Sequence, residues 1–61
     1  RERVQRSLDA LSASQRAALV LRYLDELSVS EVADSLELSY RATESLLARA
    51  RRSFERAWEE A

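Results

Sequence analysis

SVSEVADSLELSYRATESLLARARR, residues 28–52, is the stretch that decides the fold. Ser28 followed by Glu31 has the spacing of a capping box, in which the hydroxyl and the carboxylate each satisfy a free backbone N–H at a helix start. Val29, Val32, Ala33 and Leu36 then recur on one helical face. The spacing predicts a helix of roughly two turns, to about Leu36. Glu37 and Leu38 follow, and Ser39 is placed to cap a second helix running from Tyr40 to near the end. Thr43, Leu47, Ala50, Phe54 and Trp58 form one continuous stripe along that helix, opposite Arg41, Ser45, Ala48, Arg52 and Glu59. Two helices joined by about three residues, with a small residue midway along the first, are a helix-turn-helix pattern. Ala33 is that small residue, and Leu38 is the expected apolar plug of the turn.

Working outward, RERVQRSLDAL places Val4, Leu8 and Leu11 on one stripe of a short first helix. Ser12 followed by Gln15 predicts a second capping box, opening a helix that runs to about Leu24. Ala18, Leu19, Val20 and Leu21 are apolar almost all round, which assigns that helix to the centre of the core. Gly and Pro are absent, disfavouring tight turns and strand pairing. The expected fold is all-α: four helices with a helix-turn-helix at about residues 28–52 and a long C-terminal recognition helix. The 61 residues read as one domain, and a start at Arg1 rather than Met leads us to expect a piece of a longer protein.

Composition narrows the chemistry. With no Cys and no His, disulfides, ordinary zinc sites and Cys- or His-based catalysis are excluded. No Gly-rich phosphate loop is present and no catalytic set converges, so an enzyme, a cofactor and a small-molecule ligand are not expected. No apolar run approaches the roughly 18 residues of a membrane span. The net charge of −1 conceals an asymmetry. Residues 1–38 hold five Arg and seven acids, whereas residues 39–53 hold four Arg and a single acid, Glu44. A local basic stripe governs attraction to nucleic acid more than the chain average does. A recognition helix projects its N-terminal residues into the major groove, which directs attention to Tyr40, Arg41, Glu44, Ser45, Ala48 and Arg49. Ser28, Ser30 and Ser39 sit at helix N-termini, where free backbone N–H groups receive phosphates.

LDALSASQRAALVLRYLDELSVSEVADSLELSYRATESLLARAR, residues 8–51, resembles the promoter −35-binding domain (region 4) of bacterial sigma factors, most closely the extracytoplasmic-function group. The LxxLSxxQRxxLxLRYLxxLS run, the ExAxxLxxS helix-turn and a helix ending SLLARAR carry the resemblance. It implies a cytoplasmic, bacterial transcription-initiation protein whose partners are promoter DNA and the β-flap of core RNA polymerase, with an anti-sigma factor as a further candidate partner. It implies that Arg22 meets the DNA backbone, that Ser39 caps the recognition helix beside a phosphate, and that Arg41, Glu44, Ser45, Ala48 and Arg49 touch bases or phosphates. Arg52 extends the DNA-facing set. The family's second surface falls on Leu11, Leu19, Tyr23, Phe54 and Trp58, which form the candidate protein-partner groove. Three positions depart from the pattern: Glu37 where Gly is frequent, Glu44 where the family is often basic, and Leu46 where Arg is frequent.

Bland readings stand beside these. Glu44 either accepts from a cytosine amine, pairs with Arg41 one turn earlier, or faces a protein. Arg49, Arg51 and Arg52 either solvate a helix face or supply at least one phosphate contact. Leu46 is a core flank, a thymine-methyl contact or a partner contact. Phe54 and Trp58 either close the core against Leu8 or Leu11 or line a groove. Two rival functions keep the fold: a LuxR-type response-regulator DNA-binding domain, and a module that mainly binds a regulatory protein.

Overall fold

The computed structural model describes all residues, 1–61, as helices and turns. α1 spans Glu2–Asp9, α2 Ala13–Leu19, α3 Val29–Leu36 and α4 Tyr40–Glu60. α2 does not end at Leu19 but widens into one π-helical turn, Val20–Leu24. α4 has 21 residues, and at about 1.5 Å per residue it accounts for the 32 Å long axis of the molecule. α1, α2 and α3 all pack along it. No helix is long and apolar enough to cross a membrane.

The helix starts follow the expected capping chemistry with one correction. Ser28 and Glu31 form both halves of the capping box: Ser28 N–H donates to Glu31 Oε1 at 2.8 Å and Glu31 N–H to Ser28 Oγ at 3.1 Å. Ser39 Oγ accepts from Ala42 N–H at 3.0 Å. Ser12 makes only half a box, accepting from Gln15 N–H, while its own hydroxyl lies 3.5 Å from that of Ser14.

The core is built where α2 crosses α4. Leu11, Ala18, Leu19, Leu46, Leu47 and Ala50 form one buried cluster, with Leu8, Val29, Leu36 and Phe54 packed on its edge. Leu46 thus takes the first of its three readings. Alanines at 18 and 50 let the helix backbones approach closely, as small residues do at a crossing. α1 departs from its expected stripe: Val4 is exposed, Leu8 half-buried, and the fully buried residue is Ser7. A side chain this small fits against α4, and its hydroxyl is satisfied by the Arg3 carbonyl at 2.7 Å. Buried Thr43 uses the same device on the Ser39 carbonyl, at 2.9 Å.

Both turns that flank α3 pass through a left-handed residue, Glu26 and Glu37, each at φ 59°. After α3, Leu38 N–H donates to the Ala33 carbonyl and Glu37 N–H to that of Asp34, which is the Schellman arrangement. Leu38 is not the expected plug. Its side chain stands 40% exposed, and its part in the turn is the N–H bond to Ala33. An L-residue in this region costs about 1–2 kcal/mol, of which Gly recovers part after its own entropy penalty of roughly 0.5–1 kcal/mol. Glu37→Gly should therefore stabilise the domain by about 0.5–1 kcal/mol, read as a Tm gain of roughly 2–8 °C. A melt with no gain would show that the turn is not strained at Glu37.

Candidate nucleic-acid interface and partner groove

The helix-turn-helix assembles as α3, the Glu37–Ser39 turn and α4. Ala33 and Val32 are buried where α3 meets the rest of the domain, so α3 sits close and α4 is held at its N-terminal end by Thr43 and Leu47. With that inner stripe fixed, the outer stripe is free. Tyr40, Arg41, Glu44, Ser45, Arg49 and Arg52 are all exposed, and Ala48 is half-buried. Ser28, Ser30 and Ser39 are exposed at the N-termini of α3 and α4, where the unpaired N–H groups and the helix dipole favour anions. Down the same outer stripe, Glu55 and Glu59 follow Arg52. The face is therefore basic over its first three turns and acidic towards its end, and only the first part suits a polyanion.

The three clustered arginines separate. Arg49 and Arg52 stay on the exposed side. Arg51 turns the other way and donates from Nη1 to the Tyr23 hydroxyl at 3.0 Å. Arg22 is also engaged: its Nη1 donates to the Leu27 carbonyl at 3.1 Å, and its guanidinium carbon lies 5.5 Å from the Tyr23 ring centroid.

On the face away from the turn, a groove of 260 Å³ runs between α1, the π turn and α4. Val4, Leu8, Leu19 and Val20 line it with Phe54, and Tyr23 and Leu24 form its outer wall. The wall is conspicuous because Tyr23 is 52% and Leu24 69% exposed. In a continuous α-helix Tyr23 would share Leu19's buried face, but the widened turn carries it outward. Arg51 and Glu55 are the charged rim. Of the expected groove set, Leu19, Tyr23 and Phe54 line this cavity. Leu11 is buried in the core instead, and Trp58 lines a shallower hollow beside Val4 and Phe54. Trp58 stacks on Phe54 with centroids 6.0 Å apart. Arg3 covers the Trp58 ring at 4.2 Å and donates from Nε to the Trp58 carbonyl at 3.0 Å. Val4, Leu8 and Val20 were missed as groove residues because periodicity assigned them to an apolar stripe or the core, and Leu24 because it was read only as the end of its helix.

A family model described as sigma-70, region 4 matches residues 1–54. Comparison with curated proteins and with solved structures returned no match.

Proposed function

We propose that this chain, which belongs to the sigma-70 region 4 family, reads the −35 element of promoters with the N-terminal half of α4 and docks on core RNA polymerase through the groove of α1, α2 and α4. The family is one of DNA-binding regulatory domains of sigma factors and not of enzymes, so the LuxR-type alternative is set aside. The observation that carries the DNA reading is the capped N-terminus of α4, which exposes Tyr40, Arg41, Glu44, Ser45 and Arg49 on one side while Thr43, Leu46 and Leu47 fix it from the other. Binding and positioning are then this domain's whole contribution, and the chemistry belongs to the polymerase, in the cytoplasm of a bacterium, within a longer sigma factor of the extracytoplasmic-function type. An exposed apolar groove with a polar rim has the form of a helix-in-groove site, the form that suits the polymerase β-flap and, in competition with it, an anti-sigma factor.

Glu44 gives the reading its sharpest test. A carboxylate facing phosphates lowers non-specific affinity, and it is compensated only where it accepts from a cytosine amine. Selection of bound duplexes from a randomised pool at low salt, on the chain fused to a dimerising tag, should enrich a short motif. Glu44→Ala should relax one C·G position in it, by the roughly 1–3 kcal/mol of a base contact. Salt-sensitive background with no enriched motif would exclude sequence reading and leave the protein-interaction role.

A further inference from the structure

The large apolar side chains left exposed are Val4, Tyr23, Leu24, Leu38 and Tyr40. The first three line the groove. Leu38 and Tyr40 lie elsewhere, on either side of Ser39, the N-cap of α4. Tyr40 is the first residue of α4 and is 51% exposed. A recognition helix enters the major groove with this end. The other exposed side chains of the reading face, Arg41, Glu44, Ser45 and Arg49, are polar or charged, and Ala48 is small and half-buried. Tyr40 is therefore the large apolar group that this face offers to a base.

In the major groove the bases present hydrogen-bond donors and acceptors, with one apolar landmark, the 5-methyl group of thymine. An aromatic ring covers such a methyl and removes water from both surfaces. Leu46, for which a thymine contact stood open in the sequence, is buried in the core. The fold leaves that contact to Tyr40. We propose that Tyr40 is a specificity-determining residue whose ring packs on the 5-methyl group of one thymine in the recognised duplex. The proposal rests on the DNA reading above and adds a T·A position to it.

The test selects duplexes from a randomised pool with the tagged chain and, in parallel, with Tyr40→Ala, after circular dichroism has checked that the variant is folded. The substitution removes no charge. Should Tyr40→Ala not fold, Tyr40→Gln takes its place. The wild type should enrich a motif containing a thymine that the variant no longer requires. Each thymine of that motif is then replaced in turn by deoxyuridine, which removes the methyl group alone. At one position the replacement should weaken wild-type binding about threefold to fivefold, the worth of one buried methyl group, and leave the variant unaffected. Tyr40→Phe keeps the ring and should keep the preference for thymine over deoxyuridine. If the wild type tolerates deoxyuridine at every position, or if wild type and variant lose affinity alike, the proposal is overturned while the enriched motif still supports the DNA reading. Loss of the preference in Tyr40→Phe would assign the contact to the hydroxyl and overturn it too. A wild type that enriches no motif sinks the DNA reading itself, and this proposal with it.

Discussion

Leu47→Ala should unfold most of the population at 37 °C. Leu47 is 2% exposed at the crossing of α2 and α4, and truncating a Leu in such a site costs about 2–5 kcal/mol. At roughly 0.05–0.15 kcal/mol per residue, a domain of 61 residues has little more than that to lose, and it contains no Cys or His to supply a disulfide or zinc staple. The groove wall provides the contrast. Leu24→Ser changes an equally apolar residue that is 69% exposed, and it should shift stability by less than about 0.5 kcal/mol. Urea unfolding followed by circular dichroism reads both. Equal losses in the two variants would mean that the groove wall belongs to the core, and the docking surface would disappear with it.

Arg41→Ala combined with Arg49→Ala should lower duplex affinity about a hundredfold at low salt. The two guanidiniums project from the exposed side of the N-terminal half of α4, and each such contact is worth about 1–3 kcal/mol. If both meet phosphates, the salt slope should also flatten by nearly 2, at about 0.9 each. Arg51→Ala is the matched control: the same charge is lost from the same helix, but its donor faces Tyr23 at the groove. It should change duplex affinity by less than threefold, apart from the general effect of net charge. Fluorescence anisotropy across a salt series measures all of this. Should Arg51→Ala weaken binding as much as the pair does, the helix would be acting as a diffuse positive rod and not as an oriented reader.

The fold was legible because its signals are local and repeated. Ser28 with Glu31 and Ser39 before Tyr40 marked two helix starts to the residue, and the stripe from Thr43 to Trp58 marked the side of α4 that packs. The parts that escaped depend on tertiary distance. Nothing in ERVQRSLD says that α1 lies so close to α4 that Ser7, and not Val4, is the residue that fits. Nothing in VLRYL, which has neither Gly nor Pro, announces a π turn. Without that turn the reading had no way to turn Tyr23 and Leu24 outward into a groove wall, and it placed Leu11 in the groove when it belongs beneath it. The charges behave similarly: consecutive arginines diverge on a helix, but which of Arg49, Arg51 and Arg52 turns to the groove depends on a tyrosine 28 residues earlier. Glu37 is the converse case: the resemblance, in which Gly is frequent at that position, pointed to a left-handed turn that is present although the residue is Glu.

In the proposed assignment, one helix face meets DNA while a separate groove stays free for protein. Titrating a promoter-like duplex into the isotopically labelled chain and following backbone amide shifts tests it most directly. Shifts should concentrate at Ser28–Glu31 and at Ser39–Arg49, and Val4, Leu8, Val20 and Phe54 should stay where they are. Shifts centred on the groove residues, with Arg41, Glu44 and Ser45 unmoved, would contradict the assignment of the two faces.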